Sequence, residues 1–146
     1  MTIGKGRLRS VSLREAQQFA GQAEEYLQTA IDALGDGRLN AATRNAVHAG
    51  INAADTILGA RTGSRAGGED HKQAIPLLTS LPKDGRAAAN ALGRLVPLQS
   101  KAEYDPEPIS RDTAELALRQ ATVLVEIARS TIAARLTSES TTPDGA

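Results

Sequence analysis

The stretch NAATRNAVHAGINAADTILGA, Asn40–Ala60, decides the fold. Val47, Ile51, Ala54 and Leu58 recur at three- and four-residue steps, the signature of one buried stripe on an α-helix. Around them lie Ala41, Ala42, Ala46, Ala49, Gly50 and Ala53, small enough to let a neighbouring helix come close. Beside the stripe runs a polar line, Arg44, His48, Asn52 and Asp55. At about 100° per residue, His48 and Asp55 border the apolar face and do not look into open solvent. Asn40 is the expected cap of this helix.

The flanking sequence repeats the pattern. Ser12 and Glu15 have capping-box spacing, and Ala16, Phe19, Ala20, Ala23, Leu27, Ala30, Ile31 and Leu34 form a stripe that stops at Gly35. A third helix is expected from the Asp70 cap through Leu81, with Pro76 starting a fresh turn or kinking it. A fourth is expected over Asp84–Lys101, carried by Ala88, Ala91, Leu92, Leu95 and Leu98 and bent at Pro97. Asp105-Pro-Glu-Pro108 reads as extended. The last helix is expected from its Ser110 cap to Leu136 on Ala114, Ala117, Leu118, Ala121, Leu124, Val125, Ala128 and Ile132. Leu116, Val123 and Ile127 widen that surface, which fits either a dimer contact or tighter burial within one chain. The expected architecture is an all-α, antiparallel up-and-down bundle of about five helices over residues 12–136. A basic arm, residues 1–11, and a disordered polar tail, 137–146, flank it.

Composition narrows the function classes. The chain has 146 residues, room for one domain. Twenty-six residues are alanine and only Phe19, Tyr26 and Tyr104 are aromatic, a balance that suits packed helices and not a β-sandwich. Lys plus Arg and Asp plus Glu each number 17, so broad, non-specific nucleic-acid binding driven by excess positive charge is disfavoured. A local basic patch is compatible with that balance, and Lys5, Arg7 and Arg9 make the arm either a solvated tail or a phosphate contact. There is no cysteine, hence no disulfide, thiolate metal site or cysteine nucleophile. No run of apolar residues has membrane-spanning length, and Met1–Ser10 lacks the apolar stretch of a signal peptide, so a cytoplasmic protein without membrane contact is expected.

Only His48 and His71 are histidines, which leaves few groups for proton transfer near neutral pH. His71 closes the segment Arg65-Ala-Gly-Gly-Glu-Asp-His71, with five residues between Arg and His. The pairing suits phosphodiester cleavage. A guanidinium grips phosphate oxygens with a planar fork and stays charged. An imidazole moves a proton to or from the ribose hydroxyl or the leaving oxygen. No metal or other cofactor is needed; His71 with Glu69 and Asp70 makes only a weak ion site. The bland alternative keeps Arg65 and His71 as loop residues and His48 and Asp55 as structural side chains.

The order of these segments resembles the HEPN family (higher eukaryotes and prokaryotes nucleotide-binding domain). The resemblance is carried by Asn45-Ala-Val-His48-Ala-Gly-Ile-Asn-Ala-Ala-Asp55, Gly59-Ala-Arg61-Thr-Gly-Ser-Arg65, Gly68-Glu-Asp-His71 and Lys101-Ala-Glu-Tyr104-Asp105. It looks like a small stand-alone protein of an actinobacterial type, over about Ser12–Leu136. The resemblance implies a helical bundle that dimerises, with an Arg-x(4–6)-His motif from each copy meeting in a metal-independent ribonuclease site. Arg65 and His71 match that motif and would be the catalytic pair. His48, Asp55, Arg61, Asp70 and Tyr104 would be supporting or RNA-contacting residues. Ala66 departs from the polar residue common after the motif arginine. The implied partners are a second copy, an RNA such as tRNA or mRNA, and a cognate antitoxin or regulatory protein, in the setting of toxin–antitoxin or phage-defence systems. The alternative is a non-catalytic module that binds a nucleotide, a nucleic acid or a partner protein.

Overall fold

The computed structural model of the protein describes residues 7–68 and 71–141. Five α-helices carry the fold: α1 (Leu13–Gly35), α2 (Leu39–Thr62), α3 (Ala74–Thr79), α4 (Gly85–Tyr104) and α5 (Arg111–Thr141). A 3-10 turn, His71–Gln73, precedes α3, and two short strands, β1 (Leu8–Ser10) and β2 (Ser64–Ala66), pair antiparallel. The all-α bundle expected from the periodicities is what forms.

α2 lies at the centre, packed against α1, α4 and α5. Its small residues explain why. Gly50 is buried where Leu95 of α4 and Leu124 of α5 converge, and Gly59 lies under Val11 and Ala16. The core is filled by Val47, Ile57 and Leu58 with Leu78, Leu92, Leu95, Leu124 and Val125, all buried. Two threonines on α2, Thr43 and Thr56, are also fully buried, and their hydroxyls donate to the carbonyls of Leu39 and Asn52, each at 2.9 Å. Among the described residues, no buried side-chain polar atom is left without a partner.

The caps follow the sequence in part. Ser12 and Glu15 form the reciprocal capping box, with bonds of 3.0 and 2.9 Å, and Ser110 accepts from the Thr113 amide at 3.1 Å. Asn40 does not cap α2; that place falls to Arg38, which gives no side-chain bond. The Asn40 amide instead donates to the Ala102 carbonyl at 2.9 Å and ties the start of α2 to the end of α4. α3 starts at Ala74 and stops at Thr79, shorter than the expected helix, because Pro76 is accepted only in a first turn. Pro97 lies inside α4, which continues to Tyr104.

Parts of both flanking segments take regular structure, whereas residues 1–6, with Lys5, and 142–146 lie outside the described residues. Leu8–Ser10 of the arm is a strand, and Val11 is buried, its amide donating to the Gly63 carbonyl at 2.8 Å. α5 continues past Leu136 to Thr141, into the stretch expected to be disordered. The Arg135–Glu139 pair, one turn apart, supports that extension, whose side chains at 137–139 are exposed and carry no apolar period. Of the surplus residues on α5, Ile127 packs on the core and Val123 is exposed.

Candidate functional site

α2 ends at Gly63, whose φ of 75° lets the chain reverse and run back as β2. The ribbon register is Leu8 opposite Ala66, Arg9 opposite Arg65, and Ser10 opposite Ser64. The Gly67 amide continues it by donating to the Arg7 carbonyl at 2.9 Å. Residues opposite one another in an antiparallel pair share a face, as do residues two apart on one strand. Arg7, Arg9 and Arg65 therefore stand on one face of the ribbon. Gly67 leaves room there: a Cβ on it would come within 2.8 Å of the Arg9 Cγ. Two arginines directly opposite each other repel, so this face has gathered positive charge against a local electrostatic cost.

Arg65 is the arginine that turns inward. Its Nη1 lies 3.8 Å from Asp55 Oδ2, and its guanidinium carbon lies 5.2 Å from the centre of the Phe19 ring. A weak 3.5 Å contact to the Ala66 carbonyl completes its surroundings. The side chains of Arg65 and Asp55 are 26% and 15% exposed, so the pair is half-buried in a site drier than the surface. Burial pushes the Asp55 carboxyl up to about 6, with Arg65 pulling the other way. At 3.8 Å the pair is an ion contact and not a fork of hydrogen bonds. The ring and the carboxylate hold the guanidinium in place, and among the described residues most of its five N–H groups have no acceptor and could meet an incoming oxyanion.

His71 opens the 3-10 turn that follows β2, and it is half-buried. The Gln73 side chain lies beside Gly68. Asp70 and Glu69 lie outside the described residues. Among those described, no three histidines, aspartates or glutamates gather into a group able to hold a metal ion.

The other sequence candidates occupy different places. His48 stacks against Tyr26 of α1, with ring centres 5.3 Å apart and planes at 32°. It lies seven residues before Asp55, roughly 10 Å along the α2 axis at ~1.5 Å per residue. With Asn40, Arg44 and Asn45 it lines a shallow hollow. Arg61 turns away from Arg65 and donates to the Lys83 carbonyl. Tyr104 is 78% exposed, at the end of α4 that Asn40 ties to the start of α2. Arg65 lies beyond the opposite end of α2, so Tyr104 is not in its site. Phe19 and the ribbon partners Arg7 and Arg9 join the site instead. Phe19 was legible only as a core residue of α1, and the arginines only as a basic arm.

No family model matches the chain, and no curated protein matches it. Among solved structures, the chain is similar to the protein TT1696 from Thermus thermophilus. The two share 25% sequence identity at a TM-score of 0.63, over 80% of this chain and 97% of that one. The likeness supports the helical arrangement described above. No described helix is long and apolar enough to cross a membrane.

Proposed function

We propose that the protein is a HEPN-type, metal-independent endoribonuclease, with Arg65 and His71 as its catalytic pair. The observation that carries this reading is the setting of Arg65: half-buried, held between Asp55 and the Phe19 ring, and not consumed by a bidentate salt bridge. A guanidinium kept charged and oriented in a partly dry site suits the negative charge that builds on a phosphate during transesterification. In that reaction the ribose 2′-oxygen attacks phosphorus, its proton passes to a base, and the 5′-oxygen leaves with a proton from an acid. A His71 imidazole supplies either role. Two copies of the chain, each bringing one histidine, supply both in one composite site, which is why the proposal includes a homodimer. Arg7 and Arg9, on the same ribbon face as Arg65, extend the contact along the RNA backbone. In this reading the chain is the toxin of a toxin–antitoxin or phage-defence pair, acting in the cytoplasm beside a cognate protein.

The second reading, a non-catalytic binding module, is favoured by the separation of His48 from Arg65, which leaves His71 as the one histidine per chain that could serve with the arginine. End-labelled total RNA and tRNA, incubated in EDTA with wild type, Arg65→Ala and His71→Ala, separate the two. Circular dichroism confirms equal helicity. Cleavage by wild type alone supports the nuclease. Absence of cleavage by wild type moves the assignment to the binding module, and equal cleavage by all three removes both residues from the chemistry.

A further inference from the structure

A second basic site lies on the other side of the α2 terminus. Arg61 and Lys83 meet Arg135 of α5 around a cleft of about 660 Å³ that shares no residue with the Arg65 site. Its volume is in the range of small-molecule sites. Both guanidiniums are anchored by main-chain carbonyls on its walls. Arg61 Nη1 donates to the Lys83 carbonyl at 2.5 Å, and Arg135 Nε to the Ala60 carbonyl at 3.3 Å. A carbonyl orients a guanidinium without neutralising it. Arg135 also meets Glu139 at 2.6 Å, and among the described residues Asp84 is the one acidic residue lining the cleft. Among the described residues, three cations and two carboxylates thus lie in or beside the cleft, an excess of one positive charge in a concave space. Val11, Leu13 and Ala134 supply an apolar side, and Ser130 adds a hydroxyl.

We propose that this cleft binds a phosphate monoester of mononucleotide size, with Arg61, Lys83 and Arg135 on the phosphate and the Val11–Ala134 side against the remainder. Arginine forks held in place before binding lose little freedom when the ligand arrives. A phosphate monoester is doubly charged near neutral pH, and the fixed cations favour it over a singly charged diester. The monoester comes from one of two sources, a free nucleotide or the 5′ end of an RNA.

Isothermal titration of the wild-type protein with AMP and with adenosine reads the first source. Hexamers of 2′-O-methyl RNA, with and without a 5′-phosphate, read the second and cannot be cleaved through a 2′-hydroxyl. The expected result is at least tenfold tighter binding of the phosphorylated member of one pair or both. Arg61→Gln and Lys83→Ala should each remove most of that preference. Lys83 is an exposed loop residue before α4, so its replacement tests the cleft without endangering the fold. A preference for AMP alone identifies a free nucleotide as the ligand; a preference for the 5′-phosphorylated hexamer alone identifies an RNA end. Equal affinity within both pairs, or a phosphate preference unchanged in both variants, overturns the proposal. Neither outcome depends on RNA cleavage, so the cleft and the nuclease reading fail separately.

Discussion

Arg65 and Asp55 face each other at 3.8 Å beside the Phe19 ring, near enough to attract and too far to share a hydrogen bond. The consequence is a carboxylate held where its charge is only partly compensated. Asp55 titrates at about 6 in the folded chain against an ordinary 3.8, because burial outweighs the arginine. The folded state therefore holds a proton that the unfolded state has already released between pH 4 and 6. Stability contributed at Asp55 is greatest at the acid side of that window and falls as pH rises through it. The full shift corresponds to no more than about 3 kcal/mol. Asp55→Asn should remove this slope. Urea unfolding at pH 4.5 and pH 7.5 reads it: the variant should gain stability relative to wild type at the higher pH. An unchanged difference between the two pH values would show that Asp55 titrates normally.

Replacing Arg65 by lysine should behave as a loss and not as a conservative change. An ammonium keeps the charge but lacks the planar fork and the stacking face that meets Phe19. Under the nuclease reading, Arg65→Lys should lower RNA cleavage at least tenfold while leaving the far-ultraviolet circular dichroism spectrum intact. Retention of full activity would mean that positive charge alone suffices there.

The helical frame was legible because it rests on local rules. Ser12 with Glu15, and the α1 and α2 stripes, follow from spacing within a few residues, and the structure realises them except at Ile31, which is exposed while Ala33 is buried in its stead. The ribbon was not legible. Three residues are too few to show a strand period, and Leu8–Ser10 reads as a charged tail until its distant partner, Ser64–Ala66, is known. Asn40 is a cap by residue type, but a tertiary acceptor, the Ala102 carbonyl, claims its amide. The candidate site divided in the same way. Arg65 and Asp55 could be nominated individually, whereas their meeting over Phe19 depends on how β2 folds back beside the α1–α2 seam. Arg61, four residues from Arg65, was grouped with it by sequence and lies in a different cleft.

The shared ribbon face predicts that the arm contributes to RNA affinity through phosphates. Arg7→Gln with Arg9→Gln should weaken binding of a 2′-O-methyl single strand and flatten its salt dependence. Each lost phosphate contact should reduce the slope of log K against log salt by about 0.7. Fluorescence anisotropy across a salt series measures both. Weaker binding with an unchanged slope would assign the loss to the fold of the ribbon and not to ion contacts.

The glycines of α1 and α2 give predictions of opposite sign for the same substitution. Gly50 is buried, and a methyl group there would run into the Leu95 side chain and crowd Leu124. Both leucines are fully buried in the core, so neither moves aside without disturbing its neighbours. Gly50→Ala should therefore destabilise by about 1–3 kcal/mol, the usual range for overpacking. Gly21 lies in the exposed middle of α1, and a methyl group there meets nothing within 4 Å. Gly21→Ala should stabilise by about 0.5–1 kcal/mol, because alanine loses less backbone freedom than glycine on entering a helix. Thermal melts of the two variants beside wild type should place one midpoint above it and the other below. Two shifts in the same direction would contradict the close approach of α2 to α4 and α5, since that approach alone makes Gly50 differ from Gly21.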